Sequence, residues 1–123
     1  IAYADYDRDG KLDFVVGNWN TGYRLYHNQD PNTNHWLAIT LVGSANINRD
    51  AVGAKVYVSS SDHQTQVQHV ICGSGLGSGN DMTLHFGLGQ TTIQEVKILW
   101  PNANEQILET PRINQHLILT YQP

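Results

Sequence analysis

Short runs in which apolar and polar residues alternate recur along the whole chain, and no stretch keeps the apolar period of about 3.6 that an amphipathic helix needs. Alternation of this kind is typical of strands that bury one face. The predicted strands are residues 1–4, 12–17, 23–27, 36–42, 54–59, 65–72, 82–86, 96–100, 106–108 and 117–121. Clusters of Gly, Pro, Asn, Asp and Ser separate them and predict turns, one of them at residues 87–90. The pattern therefore predicts an all-β protein, a β-sandwich or a barrel-like domain, with at most a short helical turn.

The polar segment at residues 28–34 contains no apolar side chain and is interrupted by a proline. This composition predicts a boundary between a first unit, residues 1–30, and a second unit, residues 31–123. The first unit has about three strands, too few to bury a core of its own. It must lean on the second unit, on another copy of the chain or on residues upstream. Its strand edges, with Phe14, Val16 and Leu25, should then be exposed, and we expect either a homodimer through these edges or packing on the second unit.

Composition narrows the classes of partner. The chain has 123 residues, a net charge of −4 and only 7 Lys and Arg, so it offers no basic surface that could follow a nucleic-acid backbone. No apolar run approaches the ~18 residues that suggest a membrane span. Cys72 has no second cysteine to pair with, and because it ends the alternating run 65–72 we predict that it is a buried small hydrophobe. The chain starts without Met or a signal-peptide pattern, so we expect it to be part of a longer protein.

The stretch DYDRDGKLD, residues 5–13, places four aspartates within nine residues. Neighbouring carboxylates repel each other, so a fold that gathers them needs a partner that offsets the repulsion. Calcium takes about 6–8 oxygen ligands, and alternating acids on a tight loop can bring several carboxylates to one point. The predicted metal ligands are the side chains of Asp5, Asp7, Asp9 and Asp13 and the backbone carbonyl of Lys11, with Gly10 at the sharp turn. A solvated acidic turn without an ion is the alternative.

The loop is not an EF-hand, because the twelfth loop position would need a Glu and is Val16. Residues 12–16 alternate as a strand does, so the loop joins two strands and Asp13 closes the ligand set from the second strand. The run DYDRDGKLDFVVGN, with the YRLYHN that follows at residues 23–28, resembles an FG-GAP/VCBS-type repeat. This resemblance implies a partial blade of an extracellular β-propeller that binds Ca²⁺ through the same five residues. Since a propeller needs several blades, we expect further repeats upstream.

Four motifs follow in order in the second unit: NRDAVGAKV from residue 48, GSG from residue 73, LHFGLG from residue 84 and VKILWP from residue 96. Together they make residues 35–121 resemble the ASPIC/UnbV domain, which usually follows FG-GAP repeats. Leu76 stands where that family tends to have an aromatic residue, and Ala51 and Ala103 stand where it tends to have glycine. The resemblance implies a β domain of secreted proteins and supplies no catalytic residues.

Other stretches have both a structural and a functional interpretation. Residues 46–50 alternate oxygen-bearing side chains, which favours a turn held by Asn and Asp over a second cation site. The glycine-rich residues 73–79 are followed by a strand pattern rather than a helix, which favours a flexible loop over a phosphate cradle. The six histidines lack the spacing of a zinc site, and His85 is expected to form structural hydrogen bonds. Trp100 is predicted to pack in the core, whereas Trp19 is the best candidate for an exposed contact.

These features favour a non-catalytic extracellular or cell-surface module for adhesion or protein interaction, in which calcium is mainly structural. The alternative is a carbohydrate-binding, lectin-like domain or an accessory domain of a carbohydrate-active enzyme. A glycosidase needs two carboxylates about 5–9.5 Å apart across a cleft, and the acids outside the calcium loop suggest no such pair. A third hypothesis is a purely structural C-terminal cap on a propeller, with calcium as its one ligand.

Overall fold

The computed structural model of the chain describes residues 1–73, 75 and 78–123. The described residues form ten strands and no helix, and each predicted strand is present. In chain order they are β1 (Ala2–Ala4), β2 (Asp13–Asn18), β3 (Gly22–Tyr26), β4 (His35–Val42), β5 (Lys55–Ser60), β6 (Thr65–His69), β7 (Leu84–Gly89), β8 (Ile93–Leu99), β9 (Glu105–Glu109) and β10 (Gln115–Thr120). They form three sheets, none of which closes into a barrel within the described part of the chain. The all-β class is therefore confirmed.

Two of the sheets pack face to face as a sandwich. One has the strand order β10-β4-β7, with β10 parallel to β4 and β7 antiparallel to it. The other has the order β6-β5-β8-β9 and is antiparallel throughout. The side chains buried between them come from both inner faces and from the segments that close the ends: Leu37, Ile39, Leu41, Ile47, Ala51, Ala54, Val56, Val58, Val70, Leu84, Phe86, Leu88, Ile93, Val96, Ile98, Trp100 and Tyr121.

The alternation in the sequence explains this core. In β5, buried and half-buried positions alternate residue by residue, so Val56 and Val58 point inward while Lys55 and Tyr57 face outward. Each such aliphatic side chain stabilises the fold by about 1.5–3 kcal/mol when it is fully buried. The prediction that Trp100 lies in the core is confirmed, because only 2% of its surface is exposed.

Two sequence predictions were wrong at the ends of strands. β7 continues through Gly89 rather than turning at residues 87–90, because Leu88 still faces the core and the two flanking glycines occupy the exposed face. Cys72 is exposed rather than buried. β6 ends at His69, and Val70 is the last residue of the run to enter the core, so the alternation does not carry Cys72 inward.

The remaining sheet, which is the first sheet in chain order, has the order β1-β2-β3 and is antiparallel. None of its side chains belongs to the hydrophobic core cluster of the sandwich. It is tied to the sandwich through β1, where the Tyr3 N–H donates to the Asn80 side chain (3.1 Å) and the Asp81 N–H donates to the Tyr3 carbonyl (3.4 Å). Phe14 and Leu25 are 43% and 57% exposed, as expected for a sheet without a core of its own. Val16 was expected to be exposed as well but is half-buried.

The polar segment between the first sheet and β4 is organised by its own side chains. The side-chain oxygens of Asn28, Asp30 and Asn32 each accept a hydrogen bond from the N–H two residues later, at 3.0–3.1 Å. These are successive Asx turns, the structure that Asn and Asp favour in polar loops. Asn34 ends the last of these turns, and its side-chain oxygen accepts a hydrogen bond of 3.1 Å from the Gln90 side chain beyond β7. The predicted boundary segment thus leads the chain into β4 along a defined path.

Ala51 and Ala103, which stand where the related sequences tend to have glycine, both have positive φ angles, 51° and 67°. A Cβ in this left-handed region costs about 1–2 kcal/mol, and glycine avoids that cost. The backbone of this fold therefore requires the left-handed conformation at both turns, whichever residue occupies them.

Ala103→Gly is expected to raise the free energy of unfolding by roughly 0.5–1 kcal/mol, because the relief of the left-handed strain exceeds the entropy that glycine adds to the unfolded chain. Ala38→Gly, in the middle of β4, is the matched control and should lower it by about 1 kcal/mol or more. Urea unfolding of the three proteins measures both differences. A destabilised Ala103→Gly protein would contradict this account of the turn.

Candidate metal centre

The acidic loop lies between β1 and β2 and is folded by its own carboxylates. Asp5 accepts hydrogen bonds from the N–H groups of Asp9 (3.1 Å) and Gly10 (2.8 Å), and the Asp9 carboxylate accepts one from the Lys11 N–H (2.9 Å). Arg8 and Gly10 have φ angles of 61° and 90°, which turn the backbone around these side chains. The chain therefore wraps around the carboxylates instead of directing them away from each other.

Three of the predicted ligands converge on one point. Asp5, Asp7 and Asp9 each offer a carboxylate oxygen, and these oxygens all lie within 4.8 Å of one another. Calcium binds oxygen at about 2.3–2.6 Å, so ligands on opposite sides of one ion are about twice that distance apart. The spacing and the hard oxygen donors therefore fit a calcium ion.

Asp13, the fourth predicted ligand, is anchored at the start of β2 and only 2% exposed. One carboxylate oxygen accepts the Asn28 N–H at 2.7 Å, and the other accepts the Tyr6 N–H at 3.3 Å. Ligand atoms of Asp7, Asp13 and His27 form a second group within 4.8 Å, so Asp7 belongs to both groups and joins Asp13 to the other carboxylates. The structure thus brings all four predicted aspartates into one cluster.

His27 is the member of the site that the sequence analysis missed. Its Nδ1 lies 3.2 Å from Asp13 and 3.8 Å from Asp7, and the ring packs edge-on against Tyr6 with centroids 5.6 Å apart. The pairing of β2 with β3 matches Phe14 with Tyr26, which places residue 27 opposite residue 13. A hairpin centred on residue 20 implies this register, so the turn at residues 18–22 could have revealed the neighbour of Asp13.

Lys11 takes part through its cationic and N–H groups. Its ammonium lies 3.3 Å from the Asp9 carboxylate. Desolvation alone would raise the pKa of Asp9, but the hydrogen bond from the Lys11 N–H, the Lys11 ammonium and the nearby His27 together lower it. Asp9 therefore stays ionised and available to a cation at neutral pH. The role of the Lys11 carbonyl as a ligand stays a prediction.

The loop rests on the sandwich at Gly10, which is buried against Trp36 of β4. A Cβ placed on Gly10 would lie 2.1 Å from Nε1 of Trp36, so only glycine allows this approach. The indole also stacks on His85 of β7 with ring centroids 6.0 Å apart. The acidic loop, Trp36 and His85 therefore form a continuous contact from the loop to the sandwich.

His85 is held in an environment that disfavours its charged form. Burial lowers the pKa of His85, and the charge of Asp5 and the carbonyl of Gly10 offset this only in part. The expected structural hydrogen bonds are incomplete, since Nδ1 is buried and has no partner among the described residues. A neutral ring stacked on Trp36 is thus the form that the structure favours.

The structure also shows the other stretches that the sequence marked as candidates for function. The Asn48 side chain closes a turn by accepting from the Val52 N–H (2.8 Å) and donating to the Val52 carbonyl (3.0 Å), which favours the turn over a second cation site. Trp19 is fully exposed at the tip of the β2–β3 hairpin. In the glycine-rich stretch, residues 74, 76 and 77 lie outside the described residues. They include Leu76, which stands where the family tends to have an aromatic residue. The described residues contain no helix long and apolar enough to cross a membrane.

Comparison with known proteins places the sandwich in a family. The model of the family "ASPIC and UnbV" matches residues 43–123, about two thirds of the chain. The chain belongs to the ASPIC and UnbV family. In the structure this ASPIC/UnbV domain begins earlier than the match, because β4 pairs with β7 and β10 and contributes Leu37 and Ile39 to the core.

A short segment of the chain is similar to cartilage acidic protein 1. The identity is 62% over 26 residues with the proteins of Mus musculus and Homo sapiens, which is 21% of this chain and 4% of each relative. With the protein of Xenopus tropicalis it is 50% over 32 residues, 26% of this chain and 5% of the relative. The matched part thus spans a small fraction of the length of these relatives.

Gly10→Ala is expected to separate the loop from Trp36, because the new methyl group would overlap the indole and the φ of 90° is strained for alanine. The local cost is about 1–3 kcal/mol, as for overpacked sites in general. The Nε1–H resonance of Trp36 in a two-dimensional NMR spectrum reports the change. Gly22→Ala is the matched control, since its φ is also positive but a Cβ there meets no atom within 4 Å. An unmoved Trp36 resonance in Gly10→Ala would refute the contact.

The lowered pKa of His85 predicts a pH dependence of stability. The unfolded chain binds a proton near the ordinary value of 6.5, whereas the folded state binds it only at lower pH. The stabilisation is therefore complete above pH 6.5 and is lost as the pH falls below that value, with a slope of at most about 1.4 kcal/mol per pH unit. His85→Gln cannot titrate and should lack this component. Urea unfolding of both proteins between neutral and acidic pH measures the difference, and parallel curves would show that His85 does not titrate as proposed.

Proposed function

We propose that the chain is a non-catalytic extracellular module in which the loop at residues 5–13 binds one calcium ion with a mainly structural role. The observation that carries the proposal is the convergence of the Asp5, Asp7 and Asp9 carboxylates within 4.8 Å, with Asp13 joined to them through Asp7. Carboxylates held this close repel one another, and a divalent cation converts the repulsion into attraction.

The structural role follows from the position of the loop. The first sheet contributes no side chain to the sandwich core, so its attachment depends on few contacts. One of these contacts, Gly10 against Trp36, is made by the calcium loop itself. An ion that fixes the loop would therefore also fix how the β1–β3 sheet sits on the ASPIC/UnbV domain. This role needs no chemistry beyond the coordination of oxygen ligands.

The extracellular setting is supported by the similarity to cartilage acidic protein 1 and by the calcium affinity expected for a site of this kind. Calcium sites of extracellular modules have Kd values on the order of 10⁻⁴–10⁻³ M. A partly exposed loop with four carboxylates suits that class. Such a site holds calcium outside the cell and is empty inside the cell. The similarity supports the extracellular setting through the short matched segment, which spans 4% of the length of the mammalian relatives.

Adhesion or protein interaction is the role that the surface of the first sheet supports. Tyr3, Phe14 and Tyr26 lie side by side on one face, because the register pairs Phe14 with both neighbours. Phe14 and Tyr26 stack with centroids 4.8 Å apart, and all three rings are between 43% and 48% exposed. Exposed clusters of large rings are typical of contact surfaces.

Calorimetric titration of chelator-treated protein with calcium is expected to give about one ion per chain with a Kd on the order of 10⁻⁴–10⁻³ M, and calcium should raise the melting temperature by mass action. Asp7→Asn should weaken binding more than about tenfold, because it removes the charge of the aspartate that belongs to both groups of ligand residues. Asp50→Asn is the matched control. Its carboxylate pairs with Arg49 on the surface, away from the loop.

Each result of this titration has a definite meaning. Loss of binding in Asp7→Asn alone supports the loop as the calcium site. Equal binding in Asp7→Asn and wild type, or no binding at millimolar calcium, would overturn the proposal. Loss in Asp50→Asn alone would move the ion to the turn at residues 46–50.

A further inference from the structure

A cavity of about 380 Å³ lies between the first sheet and the β10-β4-β7 face of the ASPIC/UnbV domain. Its volume falls within the lower part of the range for small-molecule sites, which often form where two units meet. One wall comes from β1 and the acidic loop and carries Tyr3, Tyr6 and Arg8. The opposite wall carries Trp36, Asp81 and His116.

The first wall presents polar groups that the protein itself does not use. The hydroxyl groups of Tyr3 and Tyr6 and the guanidinium of Arg8 form no hydrogen bond or ion pair with other described residues. Tyr3 is 48% exposed and Tyr6 is 54% exposed, so both rings can be reached from solvent. All three polar groups therefore border the same cavity and are available to a ligand.

The second wall is held rigid by a hydrogen-bonded chain. His116 Nε2 lies 2.7 Å from the Thr40 hydroxyl, which lies 2.9 Å from the Thr83 hydroxyl. Asp81 uses one carboxylate oxygen to accept the Thr83 N–H at 3.1 Å, which leaves its second oxygen free. Nδ1 of His116 likewise has no partner among the described residues. Preorganised donors and acceptors of this kind favour binding because little order has to be gained.

The chemistry of the two walls defines the ligand. Arg8 borders the cavity together with the carboxylates of Asp5 and Asp81, so charges of both signs line it and a neutral polar molecule can contact each of them. Donors and acceptors alternate around it, which suits a molecule whose hydroxyl groups can both donate and accept. The faces of Tyr3, Tyr6 and Trp36 add apolar surface on which a ring can pack. We propose that this cavity binds a neutral saccharide of one or two rings.

The polar groups that carry the saccharide proposal differ from the proposed calcium ligands, although Asp5 both borders the cavity and is one of those ligands. The site is also distinct from Trp19, which is fully exposed at the far tip of the hairpin and does not line the cavity.

The test uses the whole chain in calcium-containing buffer and a panel of methyl glycosides of glucose, galactose, mannose and N-acetylglucosamine, with the matching disaccharides. Chemical-shift titration by NMR should give a Kd on the order of 1 mM or below for at least one of them, with shifts at Trp36 and His116. Tyr3→Phe and Tyr6→Phe remove one hydroxyl each and keep the ring. Each should weaken binding about two- to tenfold.

Matched variants separate the cavity from the rest of the surface. Tyr23→Phe removes a hydroxyl from a ring that is 86% exposed and outside the cavity, so it should leave the affinity unchanged. Asp81→Asn keeps the oxygen that accepts the Thr83 N–H and should weaken binding, while Trp19→Ala should not. Circular dichroism confirms that each variant is folded.

The outcomes decide between three results. Binding with shifts at Trp36 and His116, weakened by Tyr3→Phe or Asp81→Asn and not by Tyr23→Phe, supports the saccharide site. Binding that is lost in Trp19→Ala and kept in the cavity variants would overturn it in favour of the hairpin tip. No binding of any glycoside to protein that still binds calcium would overturn it and leave the proposed function untouched.

Discussion

The burial of one apolar face per strand between two sheets is the interaction on which the rest of this molecule depends. Residues 37–121 supply every side chain of the core cluster, from Leu37 on β4 to Tyr121 after β10. This sandwich can therefore hold its shape by itself, and it provides the rigid surface against which the β1-β2-β3 sheet is positioned. The first sheet, in contrast, contributes exposed rings and carboxylates, so its order has to come from polar contacts and from its contact with the sandwich.

The edge strands β6 and β7 of the sandwich help to position the β1-β2-β3 sheet. Gln66 and Gln68 of β6 donate to the carbonyls of Gly87 and His85 on β7, at 2.7 and 2.5 Å, and so join the two sheets along one side. The same part of β7 places His85 behind Trp36, which receives Gly10 of the acidic loop. The core therefore acts on the metal centre indirectly, because it fixes the indole surface against which the loop is folded.

The metal centre and the cavity share the loop but use different parts of it. The aspartates of the loop point toward one another and toward His27 and Asn28 at the start of the linker. Tyr6 and Arg8, between them in sequence, border the cavity instead. A loop with alternating acidic and larger residues can in this way serve two sites, since successive side chains leave the backbone in different directions. The attachment of one unit to the other would then influence both.

Much of the architecture could be predicted from the sequence because it depends on local pattern. Alternation of apolar residues determined ten strands and the all-β class. The spacing of the aspartates predicted that carboxylates close together in the chain gather, and Asp5, Asp7 and Asp9 form one group while Asp7 and Asp13 belong to another. Local pattern failed where the end of a strand depends on its neighbours: Gly87 and Gly89 continue β7, and Cys72 lies beyond the end of β6.

Other features were decided by the tertiary structure alone. His27 joins Asp13 through the register of a hairpin, Gly10 meets Trp36 from 26 positions away, and Tyr3 and Asp81 meet across the junction of two sheets. The sequence by itself therefore determined the strands and the charges, which depend on residues close together in the chain. The packing of the sheets decided which of those residues share a site, because that depends on contacts between segments far apart in the chain.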